Sequence, residues 1–157
     1  MLDTLIITAS EYRHVASVET ELEEDLPRVS CRAGEINQVL LNVIVNAAHA
    51  IADVVSASGA MGRIRVRTQS VDDGVRISVA DSGGGIPEAI RDRIFDPFFT
   101  TKDVGRGTGQ GLAIARAIVV DHHGGQLDFE TEPGRGTTFH ILLPRVTPTR
   151  VVPSVAA

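Results

Sequence analysis

The chain has 157 residues, 43% hydrophobic and 22% charged, which suits one folded domain and excludes a disordered segment. Its net charge is −5, from 15 Lys and Arg against 20 Asp and Glu; that balance excludes a general nucleic-acid binder, which displays basic patches. The single cysteine, Cys31, excludes an intrachain disulfide and accords with a reducing compartment.

Met1 to Ala9 is apolar with polar residues interspersed and predicts a short helix, with a strand as the alternative. It lacks the basic start and long apolar core of a secretory signal. No run reaches the roughly 18 apolar residues of a membrane span. The expected location is cytoplasmic, without direct membrane contact, with membrane anchoring of a longer parent chain left open. Val15 to Leu22 alternates and predicts a strand with one wet face. The acidic residues Glu19, Glu21, Glu23, Glu24 and Asp25 could form a metal site. A solvated strand face is the better reading, because they form no closed ligand set.

Ala33 to Ala57 predicts the longest helix. Ile36, Val39, Leu40, Val43, Ile44, Ala47 and Ile51 recur at helical spacing and define a core face. Asn42 and Asn46 stand one turn apart. Asparagine is a poor guest inside an apolar helix unless bonded, so the pair suggests a shared polar task, with two buried asparagines capping neighbouring loops as the alternative. Gly62–Ser70 and Gly74–Ala80 predict paired strands around an Asp72-Asp73-Gly74 turn. The arginines at 63, 65 and 67 read as a solvated sheet face, with a partner surface as the alternative.

Pro87 to Arg93 predicts a short helix and Asp96 to Arg106 a loop. A second long helix is predicted from Thr108 or Gly109 to Asp121, stopped by Gly124-Gly125. Strands are predicted at Gln126–Thr131 and Thr137–Leu143. Residues 145–157 are expected to be a disordered tail. Aromatics are 4% with no Trp, so the core is expected to be aliphatic. The fold class implied is α/β (α+β), a mixed, mostly antiparallel sheet with helices layered on one face.

The stretch from Asp81 to Leu112 carries the chemistry. It holds Asp81-Ser82-Gly83-Gly84-Gly85-Ile86-Pro87, the run Ile94 to Lys102, and Gly107-Thr108-Gly109-Gln110-Gly111-Leu112. A glycine-rich loop entering a helix offers unpaired N–H groups and the positive end of the helix dipole, where phosphates bind. A plain glycine turn before a helix is the alternative. Because the chain is acidic, a phosphate site must rely on backbone N–H groups, a metal and local cations.

In order, Glu35, Asn42, Asn46, Asp81-x-Gly-x-Gly, the phenylalanine run, Gly-x-Gly-x-Gly and Gly134-x-Gly136-Thr137 resemble the ATP-binding domain of sensor histidine kinases. That domain belongs to the superfamily of DNA gyrase, MutL and the ninety-kilodalton heat-shock chaperone. The resemblance spans Glu35 to about Pro144. It implies the superfamily's two-layer ATP-binding (Bergerat-type) sandwich over residues 1–144, with ATP and Mg²⁺ as cofactors.

By that resemblance Asn46 is the Mg²⁺ ligand. Asn42 stands where ATP-hydrolysing relatives place a glutamate base, which argues for a kinase over an ATPase. His49 occupies a position often held by lysine near the phosphates, though a solvated helix residue is equally open. Ala50 lacks the ring that some members set beside the adenine. Asp81 accepts from the adenine amino group, with Thr137 in support. Gly83 and Gly85 leave room for the base, and Ile86 packs on it. Phe95, Phe98 and Phe99 anchor a lid. Thr101, Lys102 and Arg106 reach towards phosphate, Lys102 foremost. Gly107, Thr108, Gly109, Gln110, Gly111 and Leu112 form the phosphate loop, with Gln110 where leucine is common. The implied partner is a dimerisation domain bearing the acceptor histidine, and indirectly a response regulator. No acceptor-type histidine occurs here, so the segment alone is not expected to phosphorylate itself. The alternatives are a non-catalytic nucleotide-binding module, an ATP-driven clamp, and a serine kinase that binds a sigma factor.

Overall fold

The computed structural model describes residues 1–102 and 107–145. Two short helices, α1 (Leu2–Ile7) and α2 (Ala9–Tyr12), lead into β1 (Ala16–Leu22). Then follow α3 (Ala33–Val55), β2 (Gly62–Val71), β3 (Gly74–Asp81), a 3₁₀ helix (Glu88–Arg93), α4 (Gly111–Arg116), β4 (Gln126–Glu132) and β5 (Gly136–Pro144). Between α4 and β4 the helix continues in wider π turns over Ala117–His122.

The strands form one five-stranded sheet in the order β1-β2-β3-β5-β4. The pairings β2–β3, β3–β5 and β4–β5 are antiparallel. β1 pairs with β2 in parallel, Ala16 opposite Gly62, because α3 carries the chain back between them. Alternation along β2 buries Ile64, Val66 and Thr68 and exposes Arg63, Arg65 and Arg67.

The core lies between the sheet and α3. Ile36, Val39, Leu40, Val43, Ile44, Ala47 and Ile51 are all buried, as the spacing predicts, and Ala48 joins them. Each large aliphatic side chain so buried contributes on the order of 1.5–3 kcal/mol. Although no unbroken apolar run was expected, α3 is long and apolar enough by length and composition to cross a membrane, with mean hydropathy 1.5. The physical reason is that its buried stripe serves the core of this domain.

Several expectations need correction. The core is not wholly aliphatic: Phe139 is fully buried and clusters with Phe95 and Phe129, ring centroids 5.9–6.5 Å apart. The second long helix starts at Gly111, not Thr108 or Gly109. Gly109 holds a left-handed φ of +70°, and a Cβ there would strike the Phe98 carbonyl, so it is not helical. Arg145, assigned to the tail, donates its N–H to the Asp73 carbonyl at 2.9 Å and ties β5 to the β2–β3 turn. Residues 146–157 lie outside the described residues.

Candidate functional site

A cleft of about 670 Å³ runs along the side of α3 that carries Asn42, Asn46 and His49. Asn42 is committed at both ends. Its Nδ2 donates to the Gly111 carbonyl at 3.0 Å, and its Oδ1 accepts from Gln38 Nε2 at 2.9 Å. Asn46, one turn on, lines the cleft and makes no side-chain hydrogen bond among the described residues. His49 Nδ1 lies 2.7 Å from Lys102 Nζ.

The floor is the loop after β3. Its Gly84, Gly85, Ile86 and Pro87 line the cleft. The Gly83 N–H donates to Asp81 Oδ1 at 2.8 Å. Ile86 N–H donates to Thr131 Oγ1 at 2.8 Å, and that hydroxyl lies 3.0 Å from Thr137 Oγ1. Gly134 N–H donates to the Gly84 carbonyl at 2.8 Å, so the loop is laced to the β4–β5 turn. Gly85 has φ +76°, and a Cβ there would strike the Glu132 carbonyl at 2.5 Å; only glycine fits.

Asp81 and Thr137 face each other across β3 and β5 and are buried. They lie behind the loop and do not line the open cleft; neither does Gly83. A Cβ on Gly83 would meet Ala50 and Asp81 Oδ1, so Gly83 is the layer between α3 and the carboxylate. Burial pushes the Asp81 carboxyl up to about 6, against the opposing pull of the Gly83 and Thr137 backbone N–H groups.

The far wall is the phenylalanine run and the glycine loop. Phe99, Thr100, Thr101, Lys102, Gly107, Thr108, Gly109, Gly111 and Leu112 line it. Phe95 points instead into the aromatic cluster, and Gln110 does not line the cleft. Phe98 is 72% exposed with φ +65°. Arg93 lies over the Phe99 ring, 4.3 Å from its centroid. Arg106, a sequence candidate for phosphate, and Gly105 fall outside the described residues. Gly111 sits against Asn42, so the start of α4, whose first N–H groups have no intrahelical partner, meets the asparagine side of α3.

Glu35 stands apart. It accepts from Arg32 at 2.9 Å and pairs with His122 at 3.0 Å, and these bonds hold its carboxyl below the usual carboxylate range. It does not line the cleft, consistent with its distance from Asn42 along the helix. Sequence reading missed its neighbour His123. This buried ring donates from Nδ1 to the Ile118 carbonyl at 2.8 Å and accepts the Arg32 N–H at Nε2, 3.0 Å away. It clamps the start of α3 to the π turns after α4. Also missed were Val45 and Asp53 on the cleft side of α3, and Glu11 on α2. Val45 and Asp53 follow from helical spacing off Asn42 and Asn46; no local pattern points to Glu11.

The sequence is similar to curated histidine kinases. It is 39% identical over 80% of its length to the signal transduction histidine-protein kinase AtoS of Escherichia coli, covering 19% of that protein. It is 35% identical over 92% of its length to sporulation kinase E of Bacillus subtilis, covering 18% of it. The chain thus spans about a fifth of the length of these relatives. Among solved structures, the catalytic domain of histidine kinase ThkA superposes with a TM-score of 0.75 at 33% identity, covering 92% of this chain and 91% of that one. Full-length ShkA in complex with AMPPNP gives 0.75 at 28% identity, covering 93% of this chain and 29% of that one. The fold is that of histidine kinase catalytic domains. Residues 32–147 match the family model described as histidine kinase-, DNA gyrase B-, and HSP90-like ATPase, and the chain belongs to that family.

Proposed function

We propose that this chain is the ATP-binding catalytic domain of a sensor histidine kinase, which delivers the γ-phosphate of ATP to a histidine on a separate helical dimerisation domain. One observation carries the reading: the asparagine side of α3, Lys102 and the Gly107–Leu112 loop converge on one cleft. Phosphoryl transfer asks mainly for positioning and charge neutralisation, which backbone donors and a cation supply. Asn42 offers an amide where hydrolysis would need a base, so water attack has no proton acceptor there.

The adenine end is the floor loop. Asp81, buried behind that loop and held by the Gly83 N–H, is the proposed acceptor for the adenine amino group; an ionised carboxylate only accepts, which selects adenine over guanine. Asn46 fits a Mg²⁺ ligand because its amide is uncommitted among the described residues, and Mg²⁺ takes few protein ligands beside waters and phosphate oxygens. Bound there, the ion would neutralise phosphate charge. We place the domain in the cytoplasm, with a response regulator as the eventual receiver of the phosphoryl group. The relative ThkA has been solved with its response regulator TrrA.

The test mixes this chain, Mg²⁺ and ATP with a dimerisation hairpin from a related histidine kinase. Acid-labile phosphate should appear on the hairpin histidine. ATP binding without transfer to any hairpin would favour a non-catalytic nucleotide module. Acid-stable phosphoserine on a protein partner would favour a serine kinase.

A further inference from the structure

Lys102 is the one formally charged cation among the described residues lining the cleft. A lysine ammonium is a point charge on a flexible stem, and ordering that stem opposes ligand binding. Contacts of its backbone, stem and ammonium among the described residues hold it here. The Lys102 N–H donates to Thr100 Oγ1 at 3.0 Å. The stem runs along Gly107 so closely that a Cβ at 107 would lie 3.0 Å from Lys102 Cδ. The ammonium donates to His49 Nδ1 at 2.7 Å.

The last contact fixes the chemistry of His49. An ammonium has donors only, so Nδ1 presents its lone pair and the ring proton sits on Nε2. In this geometry the imidazole is a neutral acceptor. A lysine at position 49 would present a second cation to Lys102 in place of an acceptor. We propose that His49 is a positioning residue: it holds the Lys102 ammonium in the cleft for phosphate, instead of meeting phosphate as a cation itself. This rests on the reading of the cleft as the ATP site, and it assigns His49 a role that works through Lys102.

A double-substitution cycle tests it, with calorimetric titration of Mg²⁺ and ATP into this chain. His49→Ala is expected to weaken ATP about tenfold, the scale of one hydrogen bond to a charged group. His49→Asn, whose Oδ1 can take the place of Nδ1 as acceptor, is expected to recover most of that loss. In a Lys102→Met background His49→Ala should add less than about twofold, because the residue it positions is gone. Alanine favours the helix, and thermal unfolding checks that each variant is folded. Equal losses for His49→Ala and His49→Asn would overturn the proposal. So would a full tenfold loss in the Lys102→Met background, since His49 would then act on phosphate by itself. No ATP binding by the unsubstituted chain would overturn the reading of the cleft, and this inference with it.

Discussion

On the open face of the sheet, the parallel register sets Glu19 opposite Arg65 and Glu21 opposite Arg67. Glu19 then bridges Arg63 and Arg65, and Glu21 bridges Arg65 and Arg67, at 3.2–3.5 Å. Ser78 and His140 meet across β3 and β5 at 2.8 Å, with Glu130 3.5 Å from the other ring nitrogen. Charge answers charge within the face, and the arginine row, read from the sequence as a solvated sheet face with a partner surface as the alternative, is a ladder of ion pairs. The cleft is built differently. Asn46 is uncommitted among the described residues, and Gly111 and Leu112 at the start of α4 line the same space. Residue type does not separate the two regions. What separates them is how far neighbours in the fold already satisfy the polar groups, and among the described residues the cleft keeps the uncommitted amide of Asn46 for a ligand.

The largest effect expected from this contrast is at Asn46. Asn46→Ala should leave the fold intact, since alanine is the better helix former. It should weaken Mg²⁺-dependent ATP binding on the order of a hundredfold, a scale reached even by partners that only support metal ligands. Full retention of binding would show that the ion sits elsewhere.

Asp81 gives an intermediate effect with two opposite signs. Its carboxyl is raised to about 6 by burial, so the folded chain takes up a proton as pH falls through that value. The desolvation penalty is present above pH 6 and is relieved as pH drops towards the ordinary carboxylate range, so this group's contribution to stability rises on acidification. ATP binding should do the reverse, because the acceptor disappears. Asp81→Asn is expected to weaken ATP about tenfold at pH 7 and to flatten the pH dependence between 5 and 7. It should also stabilise the fold by about 1–2 kcal/mol through removal of a buried charge. Titrations and thermal melts across that range would expose an error if affinity held constant or stability fell.

The smallest effect belongs to the open face. Glu19→Gln should change stability by less than about 1 kcal/mol, as exposed ion pairs do, and leave ATP affinity within twofold. A large loss of affinity would mean that the ladder reaches the cleft after all.

Much of the fold was legible because it is written locally. The spacing of Ile36, Val39, Leu40, Val43 and Ile44 sets the core face of α3, and Asp72-Asp73-Gly74 sets a turn. The parallel partner of β1 was not legible, since the register of Ala16 against Gly62 depends on a strand 46 residues away. The π turns over Ala117–His122 were hidden for a related reason. The His123 ring donates to the Ile118 carbonyl, and its other nitrogen is held by the Arg32 N–H at the start of α3, 91 residues away. In the cleft, Asn42, Asn46 and Lys102 could be named from motifs. The bond of His49 to Lys102 could not, because it joins two segments that meet only in the folded chain.

The parallel pairing of β1 also bears on the order in which the chain assembles. The β2–β3 and β4–β5 hairpins close over short turns, whereas β1 can find β2 only after α3 is in place between them. Closing that longer loop carries an entropic penalty before any ladder bond repays it. The amino-terminal segment therefore docks late. On a pulse-labelled refolding time course, amides of β1 should gain protection after those of the two hairpins; simultaneous protection would mean that β1 belongs to the folding nucleus.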